Sequence, residues 1–477
     1  MPLILPGNVA SATAAGYEVA NSCRFDDGDS PKMVKQLGTP SSQQTFTLST
    51  WFKLGNVNTG ANRVLFCFDQ DSNDLLTLYL HSTKSQLALY SEVAGSAPFY
   101  QLSNAVIRDP SAWYHVAAII DGTDGTQADR LKIYLNGTQI TSWATDTQWS
   151  SVANIAALAS GNDIIVGAGQ VGSASIALHW EGYLAETVYL DGTAAAIGDL
   201  GEFDSDSPTI WKPKDVSGLT FGNNGFYCDY EASGNLGNDA NGGTDLTETN
   251  IAAVDQATDT PTNNFCTLNP IYLNDGGWSS QGAPGTFSQG NMNMGTAGHG
   301  GTLGTIGTTN MKFYFEVNIE NNDNLAFGVI GTNPIGGAGD GYSYDDATVY
   351  GYYPYGTTGQ KIVGGTWSSD SNFKDAGLYH FAVDPTNNKM WIGKDGTWDG
   401  DPAAGSGNLF TLGAYEFTPW IHAMSAGQTN TFSCNFGGCS GFTVSSANAD
   451  DDGYGNFEFD VPAGFYALCT KNLAEYG

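Results

Sequence analysis

The sequence predicts an all-β protein with two antiparallel β-sandwich domains joined by a Gly/Asn-rich connector. Three observations support this: a hairpin signature occurs twice, apolar residues alternate along short segments, and turn residues separate these segments. Gly is abundant (62 of 477 residues), aromatic residues reach 12% and charged residues only 14%. Gly-rich turns between aromatic and β-branched segments are typical of sandwiches and jelly rolls. No helical periodicity extends beyond two turns.

The duplicated hairpin is the strongest local signal. The first copy spans residues 113–137 and turns at Asn136-Gly137, and the second spans 378–397 and turns at Asp395-Gly396. A type I′ turn needs positive φ at both central residues, which Asn-Gly and Asp-Gly adopt readily. Two copies about one domain length apart predict two related β domains.

The chain divides into four predicted segments. Residues 1–20 form an Ala/Ser/Thr-rich arm without periodicity, a candidate docking segment. Residues 21–205 carry strand-like runs with period-two alternation, as at 46–54. Residues 206–275 are dense in Asn, Gly, Asp and Thr but keep isolated aromatic residues, so a partly packed connector is predicted. Residues 276–477 form the second β domain.

The charge and apolar patterns exclude several classes of partner. The net charge of −32 arises because Lys and Arg are scarce (17, against 49 acids). Such a surface repels phosphate backbones and anionic lipids, so nucleic-acid binding is not expected. No apolar run approaches the ~18 residues of a membrane span, so no membrane insertion is expected. The N-terminus has two prolines and no basic start, which predicts cytoplasmic synthesis without a signal peptide. The seven scattered cysteines predict reduced, structural thiols.

Residues 21–205 resemble a laminin-G-like, concanavalin A-like lectin domain. The matching segments are FTLSTWFK at 46–53, WYHV at 113–116, IYLNG at 133–137 and WEGYLAE at 180–186. The resemblance implies a concanavalin A-like jelly-roll sandwich and a role in binding.

Residues 276–477 resemble a SPRY domain, itself a concanavalin A-like sandwich. The matching segments are 312–317, 327–330, 391–398, 435–437 and 462–465. Both halves of the chain are therefore expected to share one architecture.

The combination of the two modules resembles virion proteins of tailed bacteriophages, notably marine ones. Segments 235–239, 259–265 with 268–270, and 462–470 contribute to this resemblance. It implies a structural protein on the virion exterior, made in the host cytoplasm, whose partners are other tail or capsid proteins and a host-surface glycan or protein. The position in the virion and homo-oligomer formation stay open. Because the chain has no heptad or collagen-like shaft, it would be a fibre head, a tail-associated knob or a capsid appendage.

No catalytic constellation is evident, so a non-catalytic protein is predicted. Glycosidases need two carboxylates flanking the scissile bond, and enzymes of this fold carry Glu-x-Asp-x-x-Glu or Glu-x-Asp-x-Glu on one strand. The nearest pair here, Glu181 and Glu186, has an odd separation that would place the two on opposite sheet faces. Both are expected to be solvated edge residues. His115 and His380 occupy equivalent hairpin positions, which predicts a shared structural role.

Calcium is the candidate cofactor, because many laminin-G-like domains bind it through Asp and backbone carbonyls. Asp69, Asp71 and Asp74 lie in one loop after a strand, and Asp450–Asp452 form a second cluster. Hard oxygen ligands on a loop suit calcium. No twelve-residue calcium loop is present, and solvated loops are the favoured alternative.

Two aromatic segments are candidates for ligand contact. The Tyr-rich stretch 342–355 offers Tyr342, Tyr344, Asp345, Tyr352 and Tyr355, since Tyr provides a large contact area at small entropic cost. Strand alternation would bury about half of its tyrosines. A second candidate pair is Trp143 and Trp149, on a Thr/Ser-rich segment.

Three functions are compatible with the sequence. The first is a tail- or fibre-associated adhesin that recognises host-surface carbohydrate or protein. The second is a capsid or tail decoration protein whose sandwiches mediate virion contacts and whose arm, residues 1–20, docks it. The third, an enzyme that degrades polysaccharide, is the least favoured because no residues support it.

Overall fold

The computed structural model describes residues 16–56, 60–71, 74–83, 85–150, 153–171, 176–271, 285–296, 300–320, 324–331, 343–355, 358–370, 372–424 and 430–477. These residues form two compact units, one ending at Thr262 and one beginning at Asn263. We call them the N-terminal and the C-terminal unit. Each consists of two large sheets with almost entirely antiparallel pairing, which confirms the predicted all-β sandwich fold.

The described residues of the N-terminal unit form twenty strands. They are β1 (Ser22–Phe25), β2 (Lys32–Gln36), β3 (Thr45–Leu54), β4 (Arg63–Asp71), β5 (Asp74–His81), β6 (Gln86–Val93), β7 (Ser96–Val106), β8 (Trp113–Asp121), β9 (Leu131–Leu135), β10 (Thr138–Gln139), β11 (Trp143–Thr147), β12 (Asp163–Val166), β13 (Ala168–Gly169), β14 (Leu178–His179), β15 (Gly182–Asp191), β16 (Gly201–Phe203), β17 (Trp211–Pro213), β18 (Phe226–Cys228), β19 (Thr247–Thr249) and β20 (Gln256–Ala257).

The C-terminal unit contains fifteen further strands and one short α-helix among its described residues. They are β21 (Thr286–Ser288), β22 (Asn293–Thr296), β23 (Gly300–Leu303), β24 (Phe313–Ile319), β25 (Leu325–Gly331), β26 (Val349–Tyr353), β27 (Gly359–Val363), β28 (Thr366–Asp370), β29 (Gly377–Asp384), β30 (Lys389–Lys394), β31 (Thr397–Trp398), β32 (Phe410–Thr411), β33 (Phe417–Ala423), β34 (Asn430–Asn435), β35 (Tyr466–Ala467) and α1 (Thr470–Tyr476). No helix in the described part of the chain is long and apolar enough to cross a bilayer.

The two large sheets of the N-terminal unit enclose one apolar core. Sheet A has the order β10-β9-β8-β3-β15-β1-β20, with β18 also paired to β15, and sheet B has the order β11-β7-β6-β5-β4-β12-β2-β19. Phe46 and Phe52 of β3 and Phe66 and Phe68 of β4 are fully buried in this core. The two residues of each strand are an even number of positions apart, so they point to the same face, as period-two alternation predicts.

The duplicated hairpins form as predicted. β8 pairs with β9 and β29 pairs with β30, each in antiparallel register. The two-residue turns that follow have positive φ at both central positions: 48° and 72° at Asn136 and Gly137, and 49° and 81° at Asp395 and Gly396. This is the type I′ geometry, whose twist matches that of the flanking strands.

Residues 206–262, which the sequence predicts to be part of a connector, lie within the N-terminal unit. β18 pairs with β15, β19 with β2 and β20 with β1. Three buried or largely buried ion pairs add to this attachment: Arg24–Asp255 (3.0 Å), Lys35–Asp239 (3.5 Å) and Lys53–Asp259 (2.6 Å). Each of these three bases thus meets an acid of this polar segment, which explains why Asp-rich sequence is packed here.

The C-terminal unit repeats the two-sheet arrangement. Sheet C has the order β21-β22-β34-β24-β29-β30-β31, with β32 paired to β30 and β35 to β24, and sheet D has the order β23-β33-β25-β26-β27-β28. Phe315 and Phe381 of sheet C stack with centroids 4.6 Å apart, and Phe327 of sheet D meets Phe381 edge-on at 5.8 Å. These rings mark the core between the sheets.

One buried carboxylate organises the closing segment of this unit. Glu316 on β24 accepts hydrogen bonds from the Tyr314 hydroxyl (2.9 Å), from Asn435 Nδ2 (3.0 Å) and from the backbone N–H groups of Glu458 (3.1 Å) and Phe459 (2.9 Å). Burial raises the pKa of Glu316. Four donors offset the cost of burying this group and fix the chain at 458–459 over sheet C.

Candidate ligand-binding site

Cross-strand pairing places a row of residues across the outer face of sheet D. The row comprises Leu303, Trp420, Gly328, Gly351, Ile362 and Trp367. Directly paired residues share a face, and successive residues on a strand point to opposite faces. Because Phe327, which precedes Gly328, points into the core, the row lies on the face away from sheet C.

Glycines on this face make room for two aromatic rings. A Cβ at Gly351 would lie 2.7 Å from the ring of Trp420, and one at Gly301 would lie 2.5 Å from His422 Nδ1. The rings of Trp420 and His422 stack at 5.9 Å with an interplanar angle of 15°. Trp420 Nε1 donates to Ser343 Oγ (3.0 Å), which lies 2.9 Å from His422 Nδ1. Close packing and hydrogen bonds therefore fix the base of the face.

Four partly exposed rings continue from His422 along the face. The ring centroid of Tyr344 lies 5.2 Å from that of His422 and 5.8 Å from that of Trp367, and both contacts are edge-on. The centroid of Trp367 lies 5.4 Å from that of Tyr353. Tyr353 in turn lies 5.5 Å from Tyr355, which is 44% exposed. We call Tyr344, Tyr353, Tyr355 and Trp367 the aromatic patch. These edge-on and tilted contacts hold each ring in a defined orientation.

Polar groups accompany the aromatic patch. The Tyr353 hydroxyl donates to Asn324 Oδ1, and burial raises the pKa of Tyr353 to about 12, so this hydroxyl stays protonated at neutral pH. Gln360 lies opposite Tyr353 and Ser369 opposite Gln360, on the same face. Asp345, next to Tyr344, is exposed. Rings beside a few amide, hydroxyl and carboxylate groups are the usual lining of small-molecule and glycan sites.

The structure separates the five residues predicted in the Tyr-rich stretch. Tyr344 and Tyr355 belong to the aromatic patch, and Asp345 borders it. Tyr352 is fully buried, and its hydroxyl donates to a backbone carbonyl (2.7 Å), so it supports the core and offers no ring face to a ligand. Strand alternation explains this, because Tyr352 precedes the outward-facing Tyr353. Tyr342 lies outside the described residues.

Sequence reasoning missed Trp367, Tyr353 and His422. Trp367 is the one aromatic residue in the polar strand Thr366–Asp370. This isolated large ring is the sequence feature that could have marked it as a site residue. Successive side chains on a strand point to opposite faces, so a prediction that Tyr352 is buried would also have placed Tyr353 on the outer face. His422 gave no signal, because its place beside Tyr344 depends on the pairing of β33 with β25.

The two predicted tryptophans of the N-terminal unit contribute mainly to its core. Trp149 is 2% exposed, and its ring lies 5.4 Å from Phe99. Trp143 is half-buried on edge strand β11, opposite Ser103 of β7. Trp149 therefore has no ring face free for a ligand, and only part of Trp143 reaches solvent.

The predicted calcium residues are held by hydrogen bonds within the protein. Asp69 Oδ1 accepts from Gln170 Nε2 (2.6 Å), Asp71 Oδ1 accepts from the N–H of Asp74 (3.1 Å), and Asp74 Oδ1 accepts from the N–H of Ala94 (3.1 Å). They do not form a group whose ligand atoms all lie within 4.8 Å of one another in the described part of the chain. Calcium binding at these residues stays a prediction.

A different carboxylate group has that spacing. Ligand atoms of Asp26, Asp27 and Glu181 lie within 4.8 Å of one another. Glu181 Oε2 already accepts from the N–H of Asp27 (2.9 Å), and Asp26 Oδ1 from the N–H of Gly28 (3.1 Å). The charge of buried Arg63 acts on Glu181 and Asp27, while burial lowers the pKa of Arg63 to about 10. These carboxylates could offer ligands to a cation, but Arg63 already compensates part of their charge.

The expectation that Glu181 and Glu186 are solvated edge residues is wrong, because they are 1% and 4% exposed. The pairing of β15 with β3 shifts register between Ala185 and Val188, and Glu186 adopts a φ of 50° at this irregularity. Such a bulge redirects a side chain out of simple alternation. The sequence pattern could not reveal it.

Glu186 is buried in a group of hydroxyls. Its Oε2 accepts from the hydroxyls of Tyr227 (2.8 Å) and Tyr17 (3.1 Å), which lie 2.9 Å apart. Burial raises the pKa of Glu186 to about 7. Glu181 and Glu186 thus have separate partners and do not act as a pair.

His115 and His380 are both buried beneath aromatic rings. Trp211 Nε1 donates to His115 Nδ1 (3.1 Å), and His115 Nε2 lies 2.8 Å from Ser49 Oγ. His380 contacts Trp398 at 4.2 Å. Burial lowers the pKa of each histidine to about 3, so both are neutral at physiological pH. Both histidines are buried core residues, and that they share one structural role stays a prediction.

Comparison with known proteins supports a lectin-type fold for part of the N-terminal unit. Residues 27–188 match the Laminin_G_3 family of the concanavalin A-like lectin/glucanases superfamily. This match confirms the concanavalin A-like resemblance for residues 27–188, and the predicted bounds 21–205 stay a prediction. No curated protein matches the chain.

Solved structures similar to the chain include pentraxins and SPRY domains. A native heptameric SAP-like pentraxin from Limulus polyphemus is 16% identical, with 43% of this chain and 100% of that chain covered and a TM-score of 0.29. The SPRY domain of human HERC1 is 14% identical, with 35% and 96% covered and a TM-score of 0.27. The TRIM65 PSpry domain is 10% identical, with 35% and 90% covered and a TM-score of 0.27.

Proposed function

We propose that the protein is a non-catalytic adhesin on the exterior of a phage virion that recognises host-surface carbohydrate or protein through the aromatic patch. The observation that carries the proposal is the continuous series of ring contacts from His422 to Tyr355 on the outer face of sheet D. The lectin-type family match of residues 27–188 supports a binding role for the chain.

The chemistry of the aromatic patch suits recognition. Tyr and Trp dominate binding hot spots because they offer large, rigid contact areas with a polar edge. Here the rings are held against one another, so little conformational entropy is lost when a ligand covers them. Gln360 and Ser369 supply hydrogen-bonding groups on the same face.

The absence of catalysis is part of the proposal. Retaining and inverting glycosidases both need a carboxylate pair on either side of the bond that is cleaved. The nearest sequence candidates, Glu181 and Glu186, are buried with separate partners. Release of reducing ends from host polysaccharide by the purified chain would contradict this part.

The virion setting rests on the resemblance of the two modules, and of segments 235–239, 259–265 with 268–270, and 462–470, to phage virion proteins. Asp259, the first residue of the second segment, has a clear structural role. Its carboxylate pairs with buried Lys53, and its backbone carbonyl accepts a hydrogen bond from Ser22 Oγ (2.6 Å). Antibody labelling of intact virions tests the setting. Label at tail or fibre tips supports an adhesin, and unlabelled virions contradict a location on the exterior.

A decoration protein is the second candidate, and the anchoring of the arm favours it. The Tyr17 hydroxyl donates to Glu186, and both backbone groups of Val19 bond Thr262 Oγ1 (3.0 and 3.2 Å). Residues 17–19 thus fix the arm to the N-terminal unit. Deleting residues 1–15 preserves this anchor and should abolish incorporation into virions if the arm docks the protein; normal incorporation would contradict docking.

Binding of the labelled chain to host cells in calcium-containing buffer tests the proposed function. Trp367→Ala is expected to weaken saturable binding about 30-fold, the loss of ~2 kcal/mol typical of a hot-spot ring. Tyr355→Ala removes a 44% exposed ring of the patch, and Tyr415→Ala, which removes a 39% exposed ring outside it, is the matched control. Affinity should fall for Tyr355→Ala and stay within twofold for Tyr415→Ala. Saturable binding unchanged in Trp367→Ala and Tyr355→Ala would contradict the proposal, as would no binding at all.

A further inference from the structure

One edge of sheet D lies directly beside the aromatic patch. β28 is the last strand in the order of this sheet, and among the described strands it pairs with β27 alone. Five consecutive residue pairs join the two strands without a register shift. Three of the five residues of β28 are exposed, and Trp367 of the aromatic patch is one of the other two. The patch and the edge therefore form one continuous surface.

The hydrogen-bond pattern shows which backbone groups of β28 point away from the sheet. The N–H of Gly364 donates to the carbonyl of Val349 on β26 (3.0 Å). Alternate residues of an antiparallel strand direct their N–H and C=O groups to the same neighbour, so Ile362 also bonds β26. Trp367 pairs with Ile362, and its own N–H and C=O groups therefore point to the open side. The same holds for Ser369, two residues later.

The other sheet edges that the structure describes are shorter, bulged or covered. β10, β20 and β31 have two residues each, and β19 and β21 have three. β11 has five residues but carries a register shift between Trp143 and Thr145. At β23 the N–H of Asn269 donates to the carbonyl of Leu303 (2.8 Å), which covers that edge. Natural sheets usually protect their edges in such ways, and a regular, uncovered edge such as β28 is a template for another strand.

An extended polypeptide matches the geometry of this edge. Residues two apart on a strand repeat every ~6.8 Å, so the outward groups of Trp367 and Ser369 meet the complementary groups of another strand at the same repeat. Alternate side chains of an added strand would lie on the face of the aromatic patch. The one opposite Trp367 would contact its ring, and aromatic rings pair favourably with apolar side chains across strands.

Charge narrows the partner further. β28 carries Asp370 and no basic residue, and Lys361 is the one base of β27. The whole chain has a net charge of −32. A second copy of this chain would bring the same charge and the same Asp370 to the edge, so repulsion disfavours it. A basic segment of a different protein would instead be attracted.

We propose that the edge of β28 binds an extended, basic segment of another protein, which adds to sheet D as a further strand and places an apolar side chain on Trp367. The inference rests on the proposed function and deepens it, because it makes the partner of the aromatic patch a polypeptide and not a carbohydrate. Main-chain hydrogen bonds along the edge provide affinity, and the aromatic patch selects the side chains.

A displayed library of random linear peptides of about ten residues, selected on the full-length chain, supplies the probe. Ser369→Pro removes one outward N–H, and proline is tolerated where the N–H of an edge strand faces solvent. Ser369→Ala is the matched control, because it loses the same hydroxyl but keeps the N–H. The selected peptides are expected to be basic and to bind Ser369→Pro about tenfold more weakly than Ser369→Ala.

Four results would overturn the proposal. They are selection of no peptide, selection of acidic peptides, equal affinity of the peptides for the two Ser369 variants, and self-association of the chain that Ser369→Pro abolishes and Ser369→Ala retains. The last result would assign the edge to a second copy. Equal affinity is the result expected for a ligand held by side chains alone.

The proposed function and the strand addition fail in different ways. If Trp367→Ala loses host-cell binding while the two Ser369 variants behave alike, only the strand addition is refuted. If peptides depend on the N–H of Ser369 but the chain does not bind host cells, only the proposed function is refuted. Should Ser369→Pro unfold, hydrogen exchange of the wild type with a selected peptide decides. The amides of Trp367 and Ser369 should become protected, and unchanged exchange would overturn the proposal.

Discussion

Replacing Lys53 by methionine breaks the ion pair that attaches the end of the 206–262 segment to sheet A. Lys53 Nζ lies 2.6 Å from Asp259 Oδ2, and the two side chains are 0% and 2% exposed. Met preserves most of the volume of the side chain but leaves the carboxylate of Asp259 buried without its cation. The variant therefore isolates the electrostatic contribution from packing.

The burial of both partners sets the expected magnitude. Removing one partner of a buried pair costs about 3–5 kcal/mol, whereas exposed pairs contribute about 0–1 kcal/mol. Trp113 Nε1, which donates to Asp259 Oδ1 (2.9 Å), is unchanged in the variant and still stabilises the buried carboxylate. The cost should therefore lie at the lower end of the range for buried pairs. We expect Lys53→Met to lower the free energy of unfolding of the N-terminal unit by about 3 kcal/mol. For a unit of this size that corresponds to roughly 6–12 °C in Tm.

Hydrogen exchange of peptides from β3 and β15 reports the unfolding of this unit separately from the other. Lys132→Met is the matched control, because Lys132 pairs with Asp129 at 3.2 Å but the two are 31% and 46% exposed. The control should cost no more than about 1 kcal/mol. Equal costs for Lys53→Met and Lys132→Met would refute the reasoning that burial makes the pair at Asp259 decisive.

Two further predictions concern the buried carboxyl of Glu186 and the glycines of the two hairpin turns. Burial raises the pKa of Glu186 to about 7, above the usual value near 4.5. The contribution of this carboxyl to the stability of the N-terminal unit should therefore be greatest below about pH 4.5 and should fall as the pH rises towards 7. Glu186→Gln should remove that loss, up to about 3 kcal/mol at pH 8 relative to pH 4; urea melts with an unchanged pH dependence would contradict this. Gly137→Ala should destabilise its unit more than Gly396→Ala, since a Cβ at Gly137 would lie 2.2 Å from the ring of Trp211 and one at Gly396 only 3.2 Å from that of Phe459. Both add about 1 kcal/mol of left-handed strain, and only Gly137→Ala adds about 1–3 kcal/mol of overpacking; equal shifts in Tm would contradict the packing argument.

Local rules predicted the strands and hairpins from the sequence. The turns at Asn136-Gly137 and Asp395-Gly396 have the φ values that these residue pairs favour. Alternation in 46–54 correctly predicted a strand with its large rings in the core. Such features depend on neighbours a few residues apart, so the sequence contains them directly.

Long-range pairing was not predictable. Residues 206–262 have a connector-like composition, yet Asp239, Asp255 and Asp259 pair with bases more than 200 residues earlier. The burial of Glu186 depends on a bulge in β15 that no residue pattern indicates. Each of these features arises from contacts between distant segments.

The candidate site was predicted in part for the same reason. Tyr344 and Tyr355 could be recognised because the stretch is rich in tyrosine, and alternation explains why Tyr352 is buried instead. Trp367 joins them only because β28 pairs with β27 and brings it opposite Ile362. The surface therefore combines residues that the sequence keeps apart.

The most direct test of the central claim is a hydrogen-exchange footprint of a host-cell envelope extract on the wild-type chain. If the aromatic patch is the recognition surface, peptides covering 343–355 and 366–370 should become protected on binding, and Trp367→Ala should abolish that protection. Binding that protects other parts of the C-terminal unit and leaves these two peptides unchanged would contradict the claim.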